Sequence, residues 1–229
     1  MPRMARIVLP GVPHHITHRG NYQQTIFDGP EDYEVYLRIF KTAADRYGTT
    51  IWGYALMANH SHHTAVPERA DSLARTFNLA GMSYARYLHK KRAVKGHLFE
   101  SRFFSCPMEG AHCLRALRYI ERNPVRAGRV ERPEEYRWSS ARAHILGEGD
   151  PLLTDCPLIP SRDEWAAFVQ AEDDPTWITD LRHNTKIGLP TGSDAFIGEL
   201  ETLVGRSLRR RAPGAPRKRP AKPRLIPQA

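Results

Sequence analysis

Ile51-Trp52-Gly53-Tyr54-Ala55-Leu56-Met57-Ala58-Asn59-His60-Ser61-His62-His63-Thr64-Ala65-Val66 is the stretch that decides the fold of this chain. Ile51 to Met57 is apolar on both faces, as expected of a central strand covered from two sides, and Asn59 to Val66 resumes an alternation of period two. The two runs are either one bent strand or two adjacent ones. In a strand, residues two apart project from the same face about 7 Å apart, so His60 and His62 can converge on one ion while Ser61 and His63 point away. With eleven histidines in the chain, that pair alone does not separate a metal site from ordinary surface. The nearby His63, His14, His15 and His18 also leave a structural zinc site open.

Working outward, Pro13 to Arg19 alternates and then meets the turn signal Gly20-Asn21, which reads as a strand. A helix is predicted from about Glu31 to Tyr47, with Tyr33, Tyr36, Leu37, Phe40, Ala43 and Ala44 at spacings of three and four and Gly48 as its C-cap. A second runs from about Ser72 to Lys90, with Leu73, Phe77, Ala80, Tyr84 and Leu88 on one stripe. Arg102 to Met108 forms a further strand, and a third helix spans Ala111 to Asn123, ended by Pro124. This order of strands and helices indicates an α+β fold with helices covering an antiparallel sheet. The division expected is a catalytic domain over residues 1–145, a helical C-terminal extension over 146–205 and a disordered basic tail over 206–229. Within the extension, Ser161 and Glu164 stand in capping-box spacing, and another helix begins near Ser193.

The formal net charge of +9 implies a polyanionic partner, and its distribution is informative. From Arg206 onward there are nine cations and no acid, which leaves 25 cations against 25 acids in the first 205 residues. A Pro-rich tail of this kind cannot bury a core and suits a non-specific phosphate tether. No apolar run is long enough to cross a bilayer and the N-terminus lacks a secretory leader, so a cytoplasmic location and no membrane partner are expected. The three cysteines, Cys106, Cys113 and Cys156, form no C-x-x-C pair and read as reduced thiols.

On a wheel of 3.6 residues per turn, Cys113, Leu114, Ala116, Leu117 and Ile120 share the arc expected to face the sheet. The opposite arc collects His112, Arg115, Arg118, Tyr119, Arg122 and Asn123. A phenol is a poor nucleophile at neutral pH unless positive charge or a metal-activated electrophile assists it. Guanidinium groups beside Tyr119 favour phenolate and hold phosphate bidentately. An exposed tyrosine on a DNA-contacting helix is the competing reading.

Met57-Ala58-Asn59-His60-Ser61-His62 and Tyr119-Ile120-Glu121-Arg122-Asn123-Pro124-Val125-Arg126-Ala127-Gly128 resemble the two signatures of single-tyrosine HUH transposases, above all the REP-associated tyrosine transposases. The resemblance extends through His15-Ile16-Thr17-His18-Arg19-Gly20-Asn21, Gly96 to Phe103 and Trp138-Ser139-Ser140, and so covers about residues 5–145. It implies a ferredoxin-like antiparallel sheet carrying the histidine pair on a central strand, Tyr119 as nucleophile, and His60, His62 and Asn123 as ligands of Mg²⁺ or Mn²⁺. The implied reaction is cleavage and rejoining of single-stranded DNA at hairpin sites through a 5′-phosphotyrosine link. Candidate DNA contacts are Arg19, Asn21, Lys90, Lys91, Arg92, Arg115, Arg118 and Arg122, on a monomer or homodimer. Ser61 departs from the family's usual bulky apolar residue, and His63 from an aliphatic one, so a polar contact or a less buried strand is expected there. That departure supports the alternative of a catalytically silent hairpin-binding repressor.

Overall fold

The computed structural model describes residues 6–209. Strand β1 (His14–Arg19) is followed by helix α1 (Pro30–Tyr47), strands β2 (Thr49–Met57) and β3 (His60–Pro67), helix α2 (Ser72–Arg92) and strand β4 (Phe104–Pro107). All neighbours are antiparallel and the sheet order is β2-β3-β1-β4, the ferredoxin-like arrangement. The decisive stretch is therefore two strands, joined by a tight turn at Ala58-Asn59 that pairs Met57 with His60.

Strand β2, which holds the apolar run Ile51 to Met57, lies at the edge of the sheet, not at its centre. It is nevertheless covered. Residues 138–140 run along its free side, where Leu56 N donates to Trp138 O and Ser140 N to Tyr54 O. Helices α1 and α2 cover one face. Their stripes supply Tyr36, Phe40, Ala43, Leu73, Phe77, Tyr84 and Leu88 to a core that includes Ile16, Ile51, Leu56 and Ala65 of the sheet. Gly48 takes a left-handed φ of 63° and its N–H caps Ala44 O, the conformation in which a side chain would be strained.

The other face carries helix α3 (Gly110–Glu121) and the short helix α4 (Asn123–Arg126). The single helix expected to reach Asn123 ends two residues sooner. Pro124 lies in the first turn of α4, where its missing N–H costs nothing. Helix α5 (Ala141–Leu146) and three helices of the extension follow: α6 (Arg162–Gln170), α7 (Pro175–Ile187) and α8 (Asp194–Val204). Ser161 and Ser193 cap α6 and α8 as expected, and each Ser Oγ accepts a backbone N–H three residues on.

The extension is packed into the molecule. Trp165 is fully buried, and Trp177, Ile178 and Leu181 join Tyr119, Ile120 and Ala55 in one cluster. At the start of the expected tail one residue is buried. Leu208 is buried with Ile7 and Leu200, and Arg209 pairs with Asp194. The remainder of the expected disordered tail, from residue 210, lies outside the described residues. Cys106, Cys113 and Cys156 are free and buried. Among the described residues, no helix is long and apolar enough to cross a membrane.

Candidate active site

Period two in β3 puts His60 and His62 on the sheet face covered by α3. Register sets His60 opposite Arg19 and His62 opposite Thr17 of β1, which leaves His15 diagonal to His62 on the same face. The rings of His15 and His62 stack with centroids 5.3 Å apart, and His15 Nε2 lies 3.0 Å from His62 Nδ1. His60 bonds through Nδ1 to Asn59 Oδ1 at 2.6 Å, and its ring centroid is 4.9 Å from that of His62. Among the described residues, no hydrogen bond engages Nε2 of either His60 or His62. Burial, with a lesser push from Arg19 and Arg182, lowers His60 to about 4. Burial also takes His62 well below 6.5, reinforced by His60, His15 and Arg126. Both rings are thus neutral at pH 7, the form in which imidazole is a ligand.

Gly53 lets α3 approach the sheet: a Cβ there would stand 2.1 Å from Leu117 Cδ1. The approach brings the Tyr119 ring edge-on to His62 and His15, at 5.7 and 5.8 Å between centroids. The helical wheel places Tyr119 on the arc away from the sheet, but the residue is only 2% exposed. The reason is tertiary. The Tyr119 ring turns to the sheet histidines, and helix α7, packed on β4 and β1, brings Arg182 to its hydroxyl. Arg182 of α7 donates from Nε to the Tyr119 hydroxyl at 3.1 Å. Arg126 lies over the Tyr119 ring, 4.2 Å from its centroid, and donates to the Tyr119 carbonyl.

Asn123, four residues after Tyr119, is buried, and its side-chain nitrogen has no hydrogen-bond partner. Rotating the amide exchanges its oxygen and nitrogen, so the orphaned group can present either to a neighbour. Among the described residues, no group of three or more His, Cys, Asp or Glu side chains is placed to hold a metal ion. The structural zinc reading has no ligand set there.

The arginines of α3 and α4 and of the junction between them are not a free cationic surface. Arg118, Arg122 and Arg126 converge on the Asp173 carboxylate at 3.3, 3.4 and 2.7 Å. Arg115 pairs with Asp174 at 3.3 Å and stacks over Trp177. The acidic pair between α6 and α7 occupies them. Lys91 and Arg92 are likewise paired, with Asp32 and Asp28, each at 2.6 Å. Arg19 and Lys90 are exposed. Asn21 follows Arg19 into a short turn whose tip, Tyr22, is 94% exposed at a φ of 49°.

Ser61 and His63 project to the opposite face, where the hydroxyl of Tyr36 lies 3.3 Å from Ser61 Oγ and 3.3 Å from His63 Nε2. Phe40 stacks on the His63 ring. The departure from an apolar strand is thus absorbed by a tyrosine of α1, on the far side of the sheet from His60 and His62.

Arg126, Arg182 and Thr185 carry no role in the sequence, and His15 enters there only as a possible structural zinc ligand. His15 and Arg126 stand inside the motifs quoted above. Arg182 and Thr185 lie in a helix whose docking no local pattern reveals.

The model of the IS200-like transposases matches residues 10–123. The chain belongs to the IS200-like transposase family. A solved REP-associated tyrosine transposase, bound to a REP hairpin, aligns with this transposase at a TM-score of 0.54 and 14% identity, over 70% of this chain and 94% of that one. At that identity the likeness establishes the fold. A protein assigned as a transposase from Deinococcus radiodurans aligns at 14% identity and a TM-score of 0.38, over 52% of this chain and 96% of that one. No curated protein sequence matches the chain.

Proposed function

We propose that this transposase cleaves and rejoins single-stranded DNA at hairpin sites, with Tyr119 as the nucleophile. The observation that carries the reading is the position of Tyr119, edge-on to His62 within one chain, with Arg182 on its hydroxyl and Arg126 over its ring. In this reaction the Tyr119 oxygen bonds to a backbone phosphorus, the bond from phosphorus to the 3′ oxygen breaks, and the departing 3′ oxygen takes up a proton. The product is a 5′-phosphotyrosine link, which the 3′-hydroxyl of a strand attacks in reverse to rejoin DNA. Guanidinium groups on the phenol and near the phosphate favour the anionic groups that develop.

Two neutral imidazoles with unengaged Nε2 atoms, His60 and His62, and the orphaned amide of Asn123 are donors that would hold a divalent ion, Mg²⁺ or Mn²⁺ as the resemblance to single-tyrosine HUH transposases implies. Bound there, it supplies Lewis-acid polarisation of the scissile phosphate. Arg19, Asn21 and Lys90 are the available phosphate contacts, and the exposed Tyr22 ring offers a base-stacking surface beside them. A DNA hairpin as partner is supported by the structural relative described as bound to one.

The test is incubation with end-labelled single-stranded hairpin oligonucleotides and Mn²⁺, followed by denaturing electrophoresis. Wild type is expected to yield a covalent protein–DNA adduct, and Tyr119→Phe to abolish it with hairpin binding retained. An adduct surviving in Tyr119→Phe overturns the choice of nucleophile. Hairpin binding without any adduct in wild type establishes a silent binding protein instead.

A further inference from the structure

We propose that His15 and Thr185 are positioning residues that hold His62 in the tautomer whose Nε2 is free for a metal ion. The inference rests on the metal reading above, but its physical basis is a chain of hydrogen bonds with only one consistent direction. Thr185 Oγ1 lies 2.7 Å from the carbonyl oxygen of Leu181, one turn back in α7. A carbonyl only accepts, so the single hydroxyl hydrogen of Thr185 is spent there. Without a hydrogen between them, two oxygens at that distance would set lone pair against lone pair.

Thr185 Oγ1 is then an acceptor for His15 Nδ1, 2.8 Å away. His15 therefore carries its hydrogen on Nδ1 and presents a bare Nε2. That lone pair accepts from His62 Nδ1 at 3.0 Å, which places the His62 hydrogen on Nδ1 and leaves Nε2 aimed away from the chain. Thr185, His15 and His62 are all buried, so water does not compete for these bonds. The nearly parallel rings of His15 and His62, 13° apart, are held in register by the β1–β3 pairing. Partners that orient a ligand's ring in this way commonly change metal affinity by about 10- to 100-fold.

The relay crosses the boundary of the family match. His15 lies inside residues 10–123 and Thr185 outside it. Helix α7 thus reaches both halves of the site from one face: Arg182 to the Tyr119 hydroxyl and, three residues on, Thr185 through His15 to His62. A segment beyond the family match sets the protonation pattern of a ligand within it.

The decisive experiment is long-range ¹H–¹⁵N correlation on the metal-free, histidine-labelled full chain, together with Mn²⁺ titration followed by electron paramagnetic resonance. Wild type is expected to carry the His62 hydrogen on Nδ1. Thr185→Val, which keeps the shape but removes the acceptor, is expected to move the His15 hydrogen to Nε2. His62 is then driven to its Nε2–H form, and Mn²⁺ affinity falls by about tenfold or more. Thr185→Ser is expected to restore both readouts. A wild-type His62 that carries its hydrogen on Nε2, or a Thr185→Val chain with both rings unchanged, overturns the proposal. The metal reading is tested separately by His60→Ala: unchanged Mn²⁺ affinity there removes that reading, while the metal-free spectra still decide the relay.

Discussion

Tyr119 receives two guanidinium contacts of different kinds. Arg126 sits over its ring face, and Arg182 donates directly to its oxygen. The second is the one that bears on chemistry, because a charge-assisted donor gains strength as the oxygen gains negative charge. Such bonds contribute about 1.5–3 kcal/mol, which corresponds to about tenfold or more in rate. Arg182→Ala is therefore expected to slow single-turnover adduct formation by about tenfold or more while hairpin affinity stays near wild type, and Arg182→Lys to recover part of the loss. Equal rates in wild type and Arg182→Ala would remove Arg182 from the reaction. At this scale the histidine pair and the tyrosine are legible in the sequence, since period two and the flanking arginines single them out. Arg182 is not, because it is one cation of a long helix and its partner lies 63 residues away.

Helix α3 is held from three directions. Gly53 admits it to the sheet, Glu121 anchors its end, and Asp173 pairs with its Arg118 and with Arg122 and Arg126 just beyond it. The buried Glu121 carboxylate accepts from Ser140 Oγ at 2.7 Å, His144 Nδ1 at 2.5 Å and Trp165 Nε1 at 2.9 Å, and so ties α3 to α5 and α6. The Asp173 side chain, 9% exposed, is the counter-charge for three guanidinium groups that are 9%, 16% and 22% exposed. Removing one member of a buried ionic cluster leaves uncompensated charge and costs about 3 kcal/mol or more. Asp173→Ala is expected to lower stability by about that amount in urea denaturation, whereas Glu34→Ala, which breaks the exposed pair with Arg137, changes it by less than about 1 kcal/mol. Similar losses for the two variants would show that the arginine cluster is solvated. The cationic arc of α3 is visible in the sequence as a DNA-facing surface. Its burial is not, because Asp173 and Asp174 are about 50 residues away and nothing local links them to α3.

Across the whole molecule, buried histidine sets the response to acid. On the sheet face opposite the candidate ligands, His14 and His18 are each lowered to about 4 and His63 to about 3, in every case chiefly because burial penalises the charged ring. The unfolded chain binds protons near 6.5, where the folded chain does not. Between those values the unfolded state therefore holds more protons, and stability rises with pH. The histidine contribution is fully present above 6.5 and is lost as pH falls towards 4. Thermal midpoints are expected to decline steadily across that window. A flat profile down to pH 4 would mean that these rings are hydrated in the folded protein.

The linear sequence determined the elements and their order. Side-chain periodicity is a local property, and the stripes of α1 and α2, the strand alternation and the Gly48 cap all follow from neighbours within a few residues. Through its family resemblance it also named Tyr119, His60, His62 and Asn123 as candidates, because the motifs that carry the resemblance are local too. The tertiary structure alone decided that β2 lies at the edge of the sheet and that the basic arc of α3 is neutralised. It also decided that α7 closes the site with Arg182 and Thr185. The physical reason is the same in each case: strand order and the docking of the extension depend on pairing, burial and charge between distant segments, which leave no periodic trace in either segment alone.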